Sequence, residues 1–210
     1  MTVRIESALA EWGVRPAEEQ LERIVRYREL LGEWNRRVGL VARGEDLTDH
    51  LIDSLRGLPL LETLPGDLIA DAGSGGGLPG IPLAIFLPRR RFVLIERSSK
   101  KAGFLRYAAA AAGLDNVEVA DRGLEELGPR FAGVVFRALG ELGRYIDVLL
   151  EITRPGGWLF GYKGRSETAA AELAGLDVKG ASARIVPAPK LPGHSEGAEK
   201  ERSFLIVRKD

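Results

Sequence analysis

Acids, glycines and cations recur in this chain at the ends of short apolar runs, and that placement says what they can do. The stretch Leu68 to Ile85 reads LIADAGSGGGLPGIPLAI: an apolar run closing on Asp71, then Gly73, Ser74, Gly75, Gly76, Gly77 and Leu78, then a segment that can open a helix near Leu78 or Pro79. Glycine allows backbone turns at positive φ and lets a ligand lie against main chain, while unpaired N–H groups at a helix start favour an electronegative group. A nucleotide-like ligand is expected there. Gly75-x-Gly77-x-x-Gly80 satisfies the dinucleotide spacing, and Glu96 closes the next apolar run, Phe92 to Ile95, where a carboxylate can accept ribose hydroxyls. The spacing alone is a weak signal; the order strand, loop, helix, strand, acid strengthens it.

These residues leave open a dinucleotide oxidoreductase, an S-adenosylmethionine methyltransferase, and a plain glycine-rich turn. The absence of GxxxxGK[ST] argues against a phosphate-gripping ATPase or GTPase loop. His50 and Asp53 lie three apart and can share a helix face, as a metal fragment, a proton relay or a structural pair. The only other histidine is His194, without a ligand cluster around it, so no metal site is expected. Ser54 and Ser74 have no recognisable histidine-acid partners, and there is neither a GxSxG elbow nor HExxH. Hydrolase readings therefore have little support. The chain has no cysteine, which excludes disulfides, thiol nucleophiles and thiolate-bound zinc and fits a reducing cytoplasm.

The elements that must position these groups follow from periodicity. Residues 1–37 read as helical with a break near Gly13 to Pro16; Leu21, Ile24, Val25, Leu31 and Trp34 recur at helical spacing. Arg23, Arg26, Arg28, Arg36 and Arg37 on that helix can form a phosphate-binding face, although a solvated helix carries such arginines too. A helix is expected around Leu47 to Leu58. After Glu96 the reading is a helix from Ser98 to Gly113, a strand Asn116 to Ala120, a turn through Asp121 to Leu127, and a strand within Ala132 to Leu139 with Arg137 near its end. A helix over Glu141 to Thr153 should stop at Arg154-Pro155-Gly156-Gly157 and lead into a strand from Trp158 to Tyr162, with Lys163 and Gly164 at its end. A helix over Glu167 to Leu176 and two strands, ARIVPA and SFLIVRK, around a loop from Pro187 to Glu201 complete the chain. This alternation predicts an α/β, doubly wound, mostly parallel sheet. Ligands bind beyond the carboxyl ends of such strands, where the chain places Asp71, Glu96, Asp121 or Arg122, Arg137 and Lys163.

The 210 residues suffice for one substantial α/β domain plus a short extension. Residues 1–60 are expected as an N-terminal helical extension and 61–210 as the catalytic domain. Thirty basic and thirty acidic residues balance, so any nucleic-acid footprint must be local. MTVRIESALAEW lacks a basic region followed by an apolar one, and no run approaches 18 apolar residues, so neither export nor a membrane span is expected.

Taken together, the motifs resemble a known family, the bacterial 16S rRNA guanine-N7 methyltransferases, also called the glucose-inhibited division protein B family. The resemblance rests on His50-x-x-Asp53-Ser54-Leu55, Asp71-Ala-Gly-Ser-Gly-Gly-Gly-Leu-Pro-Gly-Ile-Pro82 and Leu94-Ile-Glu-Arg-Ser-Ser-Lys-Lys-Ala-Gly-Phe-Leu105. It continues through Asn116-Val-Glu-Val, Arg122-x-x-Glu125, Arg137-Ala138, Pro155-Gly-Gly157, Lys163-Gly164 and Glu201-Arg202, covering about residues 20 to 210. The coupling of these motifs is far more specific than the glycine spacing alone. Departures are Glu96 where aspartate is usual, Phe136 where serine is common, and Gly39 where asparagine is usual.

The resemblance implies a class I S-adenosylmethionine-dependent methyltransferase fold, a Rossmann-like mostly parallel sheet of seven strands with the last antiparallel. It implies methyl transfer to N7 of a guanine in the 530 loop of small-subunit ribosomal RNA, as RNA or in a ribosomal subunit precursor, by a cytoplasmic monomer. Asp71, Gly73, Ser74, Gly75, Gly77, Leu78, Glu96, Arg122, Gly123, Leu124, Glu125 and Arg137 are then expected at the cofactor, with Arg137 and Lys163 as the catalytic pair that holds the base and its phosphate. Lys190, His194 and Lys200 are candidate outer RNA contacts. A small-molecule methyltransferase and a noncatalytic S-adenosylmethionine-binding, ribosome-associated module are the alternatives, the latter because Phe136 removes a hydroxyl beside Arg137.

Overall fold

A computed structural model describes residues 1–42, 44–176, 178, 180–191 and 201–210. Seven strands form one sheet in the order β3-β2-β1-β4-β5-β7-β6: β1 (Leu68–Ala72), β2 (Arg91–Ile95), β3 (Val117–Ala120), β4 (Phe131–Arg137), β5 (Thr153–Lys163), β6 (Ala181–Pro187) and β7 (Ser203–Lys209). The β1–β2, β1–β4, β2–β3 and β4–β5 pairs are parallel, whereas β7 runs antiparallel to both β5 and β6. The central strands bury both faces, which is why LIADA, FVLI and AGVVF are nearly continuous apolar runs rather than alternating ones.

Helices α1 (Thr2–Glu11), α2 (Glu18–Val38), α3 (Leu47–Leu55), α4 (Leu58–Thr63), α5 (Gly80–Phe86) and α6 (Ser99–Ala111) contribute to the core on one face. That core runs without interruption from Ile5, Leu9 and Ile24 to Phe104, Trp158 and Phe160, so the first 60 residues share their packing with the sheet. On the other face, α7 (Ile146–Ile152) packs with Phe131, Val134, Phe136 and Leu159, and α8 (Ser166–Ala174) contributes Leu173 at the margin. The helix ends show their causes. The Asp46 side chain accepts from Thr48 N–H at 2.8 Å to start α3, and α2 ends at Gly39 with φ of 66°.

Three boundaries differ from the sequence reading. The helix after the glycine loop begins at Gly80 behind Pro79. The segment Glu141 to Thr153 divides into a 3-10 turn over Leu142–Arg144 and the shorter α7. Arg154-Pro155-Gly156-Gly157, expected as a break, lies inside β5, where the register with β4 shifts between Phe131 and Gly133. An irregularity of this kind accommodates proline and glycine that a regular ladder rejects. His194 and Lys200, expected as outer contacts, lie outside the described residues.

Candidate functional site

The glycine loop is held from below by two acids. Asp71 is fully buried at the end of β1 and its Oδ2 accepts from Gly80 N–H at 3.0 Å. A Cβ at position 80 would come within 2.4 Å of that oxygen, so only glycine lets the chain approach. The helix start expected to attract a ligand is thus satisfied from inside the protein. Burial, with the Glu96 carboxylate adding, pushes the Asp71 carboxyl up to about 7 against the pull of Gly80 N–H, Ser74 and Arg137. Ser74 is also buried, its hydroxyl donating to the Asp71 carbonyl at 2.9 Å.

Glu96, at the tip of β2, accepts from Gly75 N–H through Oε2 at 2.9 Å and from Ser98 N–H through Oε1 at 2.8 Å. One carboxylate therefore ties the loop to the start of α6, and each oxygen keeps a second lone pair free for a hydroxyl donor. From the opposite side the buried Tyr27 hydroxyl of α2 donates to the Gly76 carbonyl at 2.6 Å. The loop is fixed from three elements.

Beyond the carboxyl ends of β1, β2, β3 and β4 opens a cleft of about 240 Å³. Gly73, Glu96, Arg122, Gly123, Leu124 and Glu125 line it, as the sequence led us to expect, together with Ile95, Arg97, Lys101, Leu139 and Tyr145. A Cβ at Gly73 would meet Leu139 Cδ1 at 2.7 Å, so Leu139 packs directly on the glycine loop there. Asp71, Ser74, Gly75, Gly77, Leu78, Arg137 and Lys163 do not line this cleft. The first two lie beneath the loop, Leu78 is buried, and Gly77, with φ of 88°, packs on Ile81. Lys101 carried a signal in the Ser-Ser-Lys-Lys motif, whereas Leu139 and Tyr145 carried none, because what brings them in is the turn after β4. That turn includes Ala138, which has a φ of 53°, the one positive φ outside glycine among the described residues.

Arg137 and Lys163 both stand at the sheet's carboxyl edge but on opposite faces. Arg137 turns toward α3, its Nη1 lying 3.4 Å from Asp53 Oδ2 and 3.4 Å from the His50 carbonyl. Asp53 also pairs with Arg202 at 3.0 Å and stands 3.9 Å from Arg56. One carboxylate is thus set among three guanidinium groups. Lys163 points to the other face, where Nζ donates to Glu172 Oε2 at 2.7 Å and lies 5.9 Å from the Phe136 ring centroid. Burial works against the Glu172 carboxylate, but Lys163 and the Leu142 N–H outweigh it and hold its carboxyl below the ordinary range.

The expectation that Phe136 removes a hydroxyl beside Arg137 is corrected by strand alternation. Phe136 is buried on the face away from Arg137, against Gly161, where a Cβ would come within 2.5 Å of its ring. His50 and Asp53 do not pair with each other either. His50 Nε2 lies 2.7 Å from Glu45 Oε2, and burial, with Arg137 adding, lowers its pKa against the pull of Glu45 and Asp53. No group of three or more potential metal ligands occurs among the described residues.

The strand order with its single reversed strand, and a cleft closed by an acid at the tip of β2, define a class I S-adenosylmethionine-dependent methyltransferase fold. Solved structures agree at the level of fold. A precorrin-6y C5,15-methyltransferase from Geobacter metallireducens superposes with a TM-score of 0.57 at 17% identity, over 81% of this chain and 93% of that one. An O-methyltransferase from Bacillus cereus in complex with SAH gives 0.57 at 17% identity, over 88% and 90%.

Sequence narrows the class. Residues 20–188 match the family described as rRNA small subunit methyltransferase G, and this chain belongs to it. Curated relatives called ribosomal RNA small subunit methyltransferase G are 39% identical in Cellvibrio japonicus, over 95% of this chain and 91% of the relative, and 35% identical in Rubrobacter xylanophilus, over 96% and 80%. One from Borrelia duttonii is 31% identical over 99% and 98%.

Proposed function

We propose that the chain transfers a methyl group from S-adenosylmethionine to N7 of a guanine in the 530 loop of small-subunit ribosomal RNA, in the cytoplasm. The observation that carries the reading is the cleft with Glu96 on its floor, in a chain of this family. The free lone pairs of Glu96 suit the two ribose hydroxyls, and Arg122, Gly123, Leu124 and Glu125 border the adenine side. Gly73 and Leu139 line the end toward the reacting group. Asp71, Ser74, Gly75, Gly77 and Leu78 act one layer back, shaping the loop. When bound, S-adenosylmethionine supplies an electrophilic methyl group.

The choice of N7 follows from the family resemblance, and the three acids buried or paired at the sheet edge are compatible with it. Asp53 is engaged by arginines, Glu172 by Lys163 and Asp71 by Gly80 N–H. None of these is a free base, and N7, which carries a lone pair and no proton, needs none. The protein's part is then orientation, which can lower a barrier by about 7–11 kcal/mol when it replaces a free encounter. Arg137 and Lys163 flank the edge from its two faces, and exchange of their carboxylate partners for RNA phosphate would let both hold the substrate. Because the base gains positive charge on methylation, carboxylates next to these cations suit the product.

The test is transfer of labelled methyl to small ribosomal subunits and to their RNA from cells lacking the modification. Label in a single guanine of the 530 loop is the expected result, and 7-deazaguanine at that position should abolish it. Efficient methylation of the deaza RNA would sink the N7 assignment, and label only on small metabolites would establish a small-molecule methyltransferase instead.

A further inference from the structure

The surface where α2 meets α6, outside the cleft, carries an aromatic pair in which Trp34 packs on the core and Tyr107 lies over it toward solvent. Trp34 of α2 is half-buried, with its ring centroid 5.5 Å from buried Phe104 and 5.8 Å from Tyr107 at an interplanar angle of 34°. Tyr107 is 47% exposed, one of three exposed large hydrophobic side chains among the described residues. On α6, Lys100 stands seven residues before Tyr107 and Gly103 four before it, so the three share one side of the helix.

Gly103 is the second, independent observation. It lies inside a regular helix, where glycine is unfavourable, and it has no steric reason to be glycine: a Cβ built there meets nothing within 4 Å. Open space is therefore left at Gly103, between Lys100 and Tyr107 on the helix. Arg37, at the end of α2, and Lys100 are exposed and have no ion pair among the described residues. Lys101, the next residue of α6, lines the cofactor cleft, so the patch and the cleft share the first turn of this helix.

We infer that this surface is a stacking platform for a single-stranded RNA segment flanking the methylated guanine. An unpaired base lies over Gly103 against the Tyr107 and Trp34 rings, and Arg37 and Lys100 meet its phosphates. An exposed ring backed by a half-buried one, beside unpaired cations, suits sequence-tolerant binding of single strands, since every base has a stacking face. The span from Lys101 to Tyr107 along α6, about 9 Å at 1.5 Å per residue, is of the order of one or two nucleotides. This inference rests on the rRNA reading above.

The experiment measures Kd for a labelled single-stranded 530-loop RNA, KM and kcat for methyl transfer to small subunits, and Kd for S-adenosylmethionine. Tyr107→Ala should raise the RNA Kd and KM about tenfold with kcat and cofactor Kd unchanged, and Tyr107→Phe should stay within about twofold of the parent. Gly103→Leu, which places a better helix former in open space, should weaken RNA binding similarly while its melting temperature does not fall. Lys100→Gln should reduce the salt dependence of RNA binding. Unchanged RNA Kd and KM in Tyr107→Ala, with the parent active, would overturn the platform and leave the rRNA reading standing. Loss of binding to subunits but not to RNA would assign the surface to a ribosomal protein and also overturn it. A parent that neither binds nor methylates the RNA would bring down both readings.

Discussion

Glu96 and Asp71 show how two carboxylates at adjacent strand ends take different roles from their surroundings. Glu96 has main-chain N–H donors on both oxygens and faces the cleft; Asp71 has one donor on one oxygen, and its Oδ1 is buried without a partner. Glu96→Ala should therefore weaken S-adenosylmethionine by about 1–3 kcal/mol, read by calorimetry, because it removes both the ribose acceptor and the loop tether. An unchanged affinity would mean that Glu96 serves the loop alone. For Asp71 the effect is on stability. Its folded carboxyl titrates at about 7 against an ordinary 3.8, so the folded chain binds this proton more tightly than the unfolded one. The contribution is complete below 3.8 and disappears as the pH rises through about 7. Chemical denaturation of the parent relative to Asp71→Asn should show the parent losing ground between pH 4 and 8, and parallel curves would refute the shift. Both acids were legible in the sequence as strand-end carboxylates in a ligand-binding position. What separated them was not, because burial and the close approach of Gly80 are properties of the folded loop.

At the scale of elements, periodicity exposed nearly every helix and strand, and the errors have physical causes. Pro155, Gly156 and Gly157 are turn residues by composition, yet a register irregularity admits them to β5. Nothing in the sequence said that Gly133 lies flat against Trp158, where a Cβ would approach within 2.1 Å of the indole. The contribution of α2 was legible only as an amphipathic helix. The hydroxyl bond of its Tyr27 to the Gly76 carbonyl depends on a contact 49 residues away. Tyr27→Phe leaves that carbonyl without its donor in a buried place, so stability in urea should fall by about 1–3 kcal/mol. Because the lost bond is to the glycine loop, cofactor affinity should fall as well. A stability loss with unaltered affinity would reduce α2 to packing.

At the scale of the whole molecule, a neutral chain must concentrate its cationic chemistry, and the sheet divides it between two faces. That division was hidden from the sequence, which put Arg137 and Lys163 at the same edge without the β4–β5 register that assigns their sides. With Arg137 paired to Tyr162 in the ladder, Lys163 falls one residue on and faces α8. Arg137 shares its carboxylate with Arg202 and Arg56; Lys163 shares none of these partners. Residues without common partners act independently, with couplings within about 0.5 kcal/mol. Arg137→Ala should depress methyl transfer more than it weakens cofactor binding, and Lys163→Ala should do so by loss of a second, separate contact. In the double variant, the losses in log kcat/KM for small subunits should add, with each substitution removing about 0.7 from the salt slope of RNA binding if each cation meets one phosphate. A coupling of about 1 kcal/mol or more would show that the two cations reach around the edge to a single group of the RNA.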